Sequence, residues 1–434
     1  MRGGKVLPVS PFAEFIVALQ YTLPYTWALW FFAAYPIVTS IMWITTSLFF
    51  VRRWERGSAR DSQFPDTPDP ALPRVTVLIP AHNEEGVIAD TLRAACEIDY
   101  PSYEVVLVDD GSTDDTVGRA MPFVGAGRVR LVRKHVNEGK ALALNDALPL
   151  VTGEIVLTLD ADAAPDPDIL HRIVPHFRSA RVAAVTGNPR VRNADNFLAR
   201  LQAIEFSSIV SLLRRSQRIW GRIVTVSGVV AAFRRSAIFD VGGFSPNMPT
   251  EDIELTWKLQ KRFYDVRYEP RAIVWMTVPT TVRGLYKQRL RWARGLMQVF
   301  HKHADVMLHW KFRRMWPVFI ESALSIVWAL CFVVLTLIWV ASYAIGVPPV
   351  GASPIPNLWG MTIGTLCLLQ LLLGTLVDRR YDKGILRYYP YAVWYPLVYW
   401  MFLSVTTVLS LSWIFRRPAR SGVRWDTQRE GPGA

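Results

Sequence analysis

Cysteine is almost missing from this chain: Cys96, Cys331 and Cys367 are the three among 434 residues. Cys331 and Cys367 lie in long apolar runs and Cys96 in a segment with helical spacing. Neither a disulfide framework nor a thiolate metal cluster is expected. Histidine is sparse too, with seven scattered residues. His301 and His303 are neighbours, but positions i and i+2 of a helix point to different sides. Both are expected to be solvated or interfacial, and no zinc site is anticipated. Two phosphate-binding signatures are absent. No Gly-x-x-x-x-Gly-Lys-Ser/Thr loop occurs, which excludes a P-loop nucleotidase, and no Gly-x-Gly-x-x-Gly follows the first strand-like run, which disfavours a dinucleotide fold. Charge is missing from three stretches: Phe15 to Val51, Ser322 to Val377 and Tyr388 to Phe415.

What is present is apolar and unevenly spread. Hydrophobic residues make up 51% and charged residues 20%, which excludes a disordered chain. Apolar runs longer than ~20 residues are the mark of membrane-spanning helices. The expected organisation is a membrane region over residues 1–60, a proline-rich linker over 61–73, a soluble domain over 74–280, interfacial amphipathic helices over 281–314, a second membrane region over 315–415 and a basic tail over 416–434. The first region holds a span from about Tyr25 to Val51; Pro11 to Gln20 reads either as a short span or as an interfacial helix. Arg52, Arg53 and Arg56 follow at once, as at a stop-transfer boundary rather than after a cleaved signal peptide. They put the soluble domain on the cytoplasmic side of a multi-pass membrane protein. The second region reads as about three spans, Pro317–Ala344, Leu358–Val377 and Tyr391–Phe415. Three simple crossings would put Arg416, Arg417, Arg420 and Arg424 outside, against the positive-inside tendency, so either the tail is an exception or one run does not fully cross. Trp394, Tyr395, Tyr399 and Trp400 read as an aromatic belt at the bilayer surface. Lys and Arg (49) exceed Asp and Glu (36) to give a net charge of +13. Much of that surplus flanks the membrane runs, where it meets anionic lipid, so membrane lipids and no nucleic acid are the expected partners.

The soluble domain alternates strands and helices. Val75–Ile79, Val105–Val108, Val129–Val132 and Ile155–Leu159 read as buried strands, with helical spacing over Glu85–Cys96 and Gly139–Leu150. This alternation predicts an α/β domain, Rossmann-like, with a mostly parallel sheet covered on both faces. Ligands of such sheets bind at the carboxyl ends of the strands. There the chain places His82-Asn83-Glu84, Asp109-Asp110-Gly111 and Asp160-Ala161-Asp162. Any one of these is an ordinary turn; three at one edge repel each other unless a cation or a ligand relieves them. Asp160-x-Asp162 suits Mg²⁺ or Mn²⁺, hard cations that take one or two carboxylates plus substrate phosphates. A nucleoside diphosphate is the matching ligand, with Asp110 placed to accept from a base N–H and Lys140 to approach phosphates. Lys140 reads equally as a solvated helix-start lysine. Thr250-Glu251-Asp252 reads as a helix start, with Thr250 as N-cap and acidic residues in the first turn. Gln288-Arg289-Leu290-Arg291-Trp292 lies in a basic amphipathic stretch from Val282 to Phe300, expected to rest its cationic face on headgroups.

In their order, Asp110, Asp160-x-Asp162, Thr250-Glu251-Asp252 and Gln288-x-x-Arg291-Trp292 resemble the processive family 2 glycosyltransferases. The segments Val185-Thr-Gly-Asn-Pro-Arg-Val191, Val226-Ser-Gly-Val-Val-Ala-Ala-Phe-Arg-Arg235 and Lys287-Gln-Arg-Leu-Arg-Trp-Ala293 are most similar to the bacterial poly-β-1,6-N-acetylglucosamine synthases of that family. The resemblance implies a GT-A-like fold and an inverting, processive transfer of N-acetylglucosamine from UDP-GlcNAc to a polysaccharide acceptor, coupled to export. It implies Asp252 as general base, with Glu84 and Asp110 on the uridine. Asp160 and Asp162 would hold a divalent cation, Mg²⁺ or Mn²⁺, and Arg291, with Lys140, the diphosphate. Ser227, Gly228, Glu251, Gln288, Trp292, Asn188 and Arg190 would line the sugar pocket, Trp292 stacking on the acceptor. A small membrane accessory subunit is implied as a partner. Other readings are a synthase of hyaluronan, chitin or cellulose type, a single-step lipid-carrier glycosyltransferase, or a nucleotide-sensing membrane receptor. Gln288-x-x-Arg291-Trp292 argues for processivity, and the set of acidic positions argues against a mere receptor.

Overall fold

Runs of valine, isoleucine and leucine with no charge inside them can be buried on both faces, and the centre of the soluble domain is built from such runs. The computed structural model describes residues 11–55, 72–346 and 358–415. Most of the expected linker, Arg56, the loop before residue 358 and the basic tail lie outside the described residues.

Eight strands form one sheet: β1 Val75–Ala81, β2 Tyr103–Asp110, β3 Val129–Lys134, β4 Ile155–Leu159, β5 Ala163–Pro165, β6 Val182–Val191, β7 Val230–Arg234 and β8 Asp265–Met276. Their order is β3-β2-β1-β4-β7-β6-β8-β5. The pairs β3–β2, β2–β1, β1–β4 and β6–β8 are parallel; β4–β7, β7–β6 and β8–β5 are antiparallel. The expected mostly parallel sheet is present, with antiparallel strands inserted beside β4. Every residue of β1 and of β4 is buried, as a strand covered on both faces requires.

The described residues also form fourteen α-helices, besides short 3₁₀- and π-helical segments: α1 Pro11–Gln20, α2 Leu23–Phe50, α3 Ile88–Cys96, α4 Thr116–Gly125, α5 Lys140–Ala147, α6 Ile169–Ile173, α7 Phe197–Ile204, α8 Ser211–Trp220, α9 Arg235–Asp240, α10 Glu251–Lys261, α11 Val282–Lys302, α12 Trp316–Ala344, α13 Leu358–Asp378 and α14 Trp400–Ser410. One face of the sheet is covered by α3 and α6, packed around Ile79, Leu92 and Leu170. The other is covered by α5, α9 and α10, around Leu78, Leu144, Ile238 and Leu255.

Among the described residues four helical segments are long and apolar enough to cross a membrane: Leu23–Glu55, Trp310–Ala344, Gly360–Asp378 and Tyr395–Ile414. Within the last, a π-helical turn at Tyr395–Tyr399 precedes α14. The ten residues of α1 extend for about 15 Å at 1.5 Å per residue, half the ~30 Å of a hydrocarbon core. That helix lies beside α12, with Gln20 donating to Ser342 Oγ at 2.7 Å. Helices α2 and α12 are joined by indole hydrogen bonds, Trp328 to the Phe32 carbonyl (3.0 Å) and Trp339 to Tyr25 Oη (3.1 Å).

Three sequence expectations change here. Tyr395 and Tyr399 are each 2% exposed and pack inward with rings 5.0 Å apart, so the aromatic belt keeps only Trp394 as an exposed member. Arg289, expected on a face turned to lipid headgroups, is buried in protein. His303, expected to be solvated or interfacial, is buried against the Trp257 ring and beside Glu254.

Membrane helices and sheet are tied together by buried charge. Asp378, at the end of α13, binds Arg190 of β6 and, at 2.8 Å, Arg215 of α8. Arg215 also reaches Glu55 at 2.6 Å, and Glu55 accepts from Tyr381 at 2.9 Å. Removing one partner of such a group leaves the others buried and uncompensated, a loss of about 3–5 kcal/mol. Asp378→Ala is therefore expected to lower the apparent Tm of the detergent-purified protein sharply. An unchanged Tm would show that the network carries no stability.

Candidate active site

The site begins with the way β2 ends. Asp110 is fully buried and accepts hydrogen bonds from the Gly139 and Glu138 amides at 2.7 and 3.2 Å, with Lys134 Nζ 3.3 Å away. A carboxylate at a helix start satisfies amides that have no partner inside the helix. Asp110 thus fixes the turn that delivers Lys140, the first residue of α5.

Lys140 is the hub. Its Nζ lies 2.6 Å from Asp160 Oδ1, 3.1 Å from the Gly228 carbonyl and 3.2 Å from Glu251 Oε1. Burial works against its charge, but Asp160, Glu251 and Asp252 outweigh burial and hold its pKa above that of a free lysine. It is neither a solvated lysine nor a bystander: three elements, the turn after β4, the turn before β7 and the start of α10, converge on it.

Asp252 is the second residue of α10. Its Oδ2 is 3.0 Å from where a β-carbon on Gly228 would stand, so any larger residue at 228 would press on the carboxylate. Its Oδ1 accepts from the Ile253 amide at 2.9 Å. Burial and the neighbouring Glu251 charge push its pKa up to about 6, while Lys140, the Ile253 amide and Arg291 pull the other way. A half-buried carboxyl poised near neutrality is suited to accepting a proton. Thr250 occupies the N-cap position, but its hydroxyl makes no capping bond. Instead α11 crosses here so closely that a β-carbon on Gly295 would fall 2.1 Å from Thr250 Oγ1.

Asp160 and Asp162 sit in the turn between β4 and β5, Asp162 at 4% exposure. Among the described residues no cluster of three or more His, Cys, Asp or Glu side chains could hold a metal. The donor set therefore fits a cation that completes its shell with phosphate and water, as Mg²⁺ or Mn²⁺ does, and does not fit an all-protein cage.

The remaining predicted residues divide into those at this cluster and those committed elsewhere. The Ser227 amide donates to Thr186 Oγ1 at 2.8 Å, which holds the Ser227-Gly228 turn against β6. Arg291 is exposed on α11 and reaches the Pro249 carbonyl at 3.4 Å, beside the Thr250 turn. Gln288 and Trp292 are half-buried on the same helix. Glu84 is buried where β1 ends, its amide bound to Thr116 Oγ1 at 2.7 Å. Asn188 donates to the Pro270 carbonyl at 2.8 Å, and Arg190 belongs to the Asp378 network, so both are engaged away from Lys140.

Sequence reasoning missed Arg214 on α8. It is 7% exposed, donates to the Gly187 carbonyl at 3.4 Å, and lies near enough to Asp252 for the two charges to interact, although burial lowers its own pKa. The adjacent Arg214-Arg215 pair in a short helix was the available signal; which face of that helix is buried depends on elements far away in sequence.

Comparison with known proteins fits this geometry. Residues 73–295 match the model of the glycosyltransferase-like family 2. A poly-β-1,6-N-acetyl-D-glucosamine synthase of Staphylococcus epidermidis is 32% identical over 406 residues, covering 92% of this chain and 98% of that protein. The synthase of the same name from Staphylococcus aureus (strain MSSA476) is 31% identical over the same shares of both chains. Among solved structures, a mannosyltransferase from Pyrobaculum calidifontis in complex with GDP-Man and Mn²⁺ superposes with a TM-score of 0.58 and 25% identity, covering 89% of this chain and all of that one. The sheet, the acidic cluster and these relatives together establish that the chain is a glycosyltransferase and belongs to family 2.

Proposed function

We propose that this enzyme transfers N-acetylglucosamine from UDP-GlcNAc, with inversion, to the end of a growing β-1,6-linked polysaccharide, remains attached to it, and feeds it into the membrane. The observation that carries the reading is Asp252, poised near neutrality beside Gly228 and Lys140 under the helix that bears Gln288-x-x-Arg291-Trp292. The choice of substrate is supported by the relatives, which match the chain nearly end to end under the name of that polymer's synthase.

In this mechanism the 6-hydroxyl of the terminal sugar gives its proton to Asp252 as its oxygen bonds to the anomeric carbon of the donor. The bond from that carbon to the diphosphate breaks on the opposite face, and UDP leaves with the electron pair. Asp162 with Asp160 would hold the divalent cation, Mg²⁺ or Mn²⁺, whose chemistry when bound is to offset diphosphate charge. Arg291 adds a guanidinium for the leaving group. Lys140 keeps Asp160 and Glu251 together and restrains the pKa of Asp252. Trp292 offers a ring face to the acceptor. Glu84 and Asp110 lie on the uridine side, and Ser227 and Gly228 beside the sugar.

Arg52 and Arg53 at the end of α2 favour a cytoplasmic catalytic domain, in the inner, cytoplasmic membrane of a bacterium. Anionic lipids and a small membrane accessory subunit are the remaining partners in this reading.

Membranes containing the protein, given radiolabelled UDP-GlcNAc, UDP-glucose or UDP-glucuronate in turn, are expected to make polymer from the first alone. A β-1,6-hexosaminidase should digest the product, and excess EDTA should stop synthesis. Resistant polymer, or incorporation from another donor, would replace the substrate; undiminished synthesis in EDTA would remove the cation.

Asp252→Asn should reduce transfer by at least about 10²-fold, the lower range for loss of a general base. Its stability at neutral pH should not fall. The folded-state pKa lies above the ordinary carboxylate value, so ionisation of Asp252 works against the fold as pH rises through about 6, and a neutral amide removes that penalty. A loss of folding would assign Asp252 a structural role instead.

The same value sets the pH profile. Transfer should rise with pH through an apparent pKa of about 6, as Asp252 loses its proton. In Lys140→Met the nearby positive charge is gone, so the acid limb should move to higher pH in whatever activity survives. A limb that moves to lower pH, or an unchanged one, would mean that another group is the base.

A further inference from the structure

Trp292 is where the proposed function meets the acceptor, and the structure shows what holds its ring. Arg289, on the preceding turn of α11, lies with its guanidinium carbon 4.2 Å from the centre of the indole. A flat cation over an indole face is attracted by the ring quadrupole, most strongly where water is excluded. Arg289 is itself fixed. It donates to Glu205 Oε2 at 2.5 Å and to Tyr399 Oη at 3.2 Å, and Tyr399 donates to the same carboxylate oxygen at 2.8 Å. The Arg289 and Glu205 side chains are 4% and 7% exposed.

The members of this triad come from separate parts of the chain. Glu205 begins the π-helical segment Glu205–Val210, which is pressed against α13: Ser208 Oγ donates to the Leu371 carbonyl at 2.9 Å. Tyr399 ends the π-helical turn that leads into α14. Arg289 sits inside the motif segment itself. A cation that served stability alone would not need to sit over the ring that follows it by three residues, and apolar groups of similar volume in place of both Arg289 and Glu205 would fill the space with little loss.

We propose that Glu205, Arg289 and Tyr399 form a clamp that orients Trp292 toward the acceptor saccharide and ties that platform to the last membrane segment. They are positioning residues: none of them touches the donor or the reacting atoms. The inference rests on the reading of Trp292 as the acceptor platform.

The test uses the full-length protein in lipid nanodiscs with UDP-GlcNAc, reading polymer length, half-saturating donor concentration and Tm. The double variant Glu205→Gln/Arg289→Met removes both charges together and so avoids stranding one of them in the interior. It is expected to keep its Tm and its half-saturating donor concentration while making polymer roughly tenfold shorter, the effect of losing a desolvated cation–π contact. Tyr399→Phe, which removes one hydroxyl, should shorten the polymer by less, in the same direction. Wild-type polymer length in the folded double variant, or in Tyr399→Phe, would overturn the clamp. Trp292→Ala, run beside them, separates the two ideas. Wild-type length in Trp292→Ala would mean that the platform reading has failed; short polymer there, with full length in the double variant, would mean that the clamp alone has failed.

Discussion

One ammonium group makes the acidic edge of the sheet possible. Asp160, Glu251 and Asp252 come from two distant segments, and all act electrostatically on Lys140. Two unit charges ~4 Å apart interact by about 4 kcal/mol at the effective dielectric of a protein surface region. Without the lysine, that repulsion would push α10 away from the β4 turn. With it, the turn after β4, the Ser227-Gly228 turn and the start of α10 share one partner, and the half-buried carboxyl of Asp252 is left harder to ionise than a free carboxyl. The same arrangement explains why Asp110 must be buried. It accepts from the Gly139 amide at 2.7 Å, one residue before Lys140, and so sets where that ammonium points.

A second layer of charge performs a different task. Arg190, Arg215, Asp378 and Glu55 are almost wholly buried and link β6, α8, α13 and the end of α2. Buried ion pairs are a poor source of stability compared with apolar packing, but they enforce one arrangement of the elements they join. Here they set the height of the sheet against the membrane helices. Arg190 lies two residues beyond Asn188 on β6, so the strand that borders the Ser227 turn also carries the anchor to the membrane.

The sequence made the carboxyl edge of the sheet readable and the membrane-side packing unreadable. Strand β4 is expected and found at Ile155–Leu159, and β1 and β2 extend their expected runs by two residues at their carboxyl ends, into Ala81 and Asp110. The expected runs Val75–Ile79, Val105–Val108 and Ile155–Leu159 carry no charge, so burial on both faces accommodates them. Strands β6 and β8 were not expected. They carry Asn188, Arg190, Arg267, Glu269 and Arg271, polar residues that are tolerable in a sheet because Pro270, Asp378, Asp265 and His176 stand ready to receive them. Asp265 and Glu269 lie two residues from Arg267 and Arg271, but local spacing holds no trace of Asp378 or His176. Helix α3 begins at Ile88, three residues after the expected start, because Glu84 accepts from Val87 and Ile88 in a turn that first closes on β1. Tyr399 was assigned to the bilayer surface for a similar reason: its partner Glu205 is 194 residues away. Among the site residues, the acidic set at the strand ends was legible by type and place. The convergence on Lys140, the commitment of Arg190 to Asp378 and the presence of Arg214 near Asp252 were not, since each is decided by side chains from elements that the sequence keeps apart.

The helix that carries the motif is pinned along its length, and this limits how a polymer could advance. Gly295 lets α11 lie directly on Thr250, next to the proposed base. Arg289 is bound to Glu205 and Tyr399, and Arg294 lies 4.8 Å from the centre of the Trp413 ring beyond α14. A motion that carried α11 toward the membrane would have to break these contacts together or move α10, Glu205 and the last membrane segment with it. Under the proposed function the cheaper path is for the saccharide to slide across a fixed Trp292. Sugar faces are amphipathic, so an indole can release one residue and receive the next without unpairing a buried hydrogen bond, whereas the charges beneath it cannot. The apolar face turned to the product and the locked charges behind it are then two halves of one requirement: the platform must be slippery on the side of the chain and rigid on the side of the enzyme.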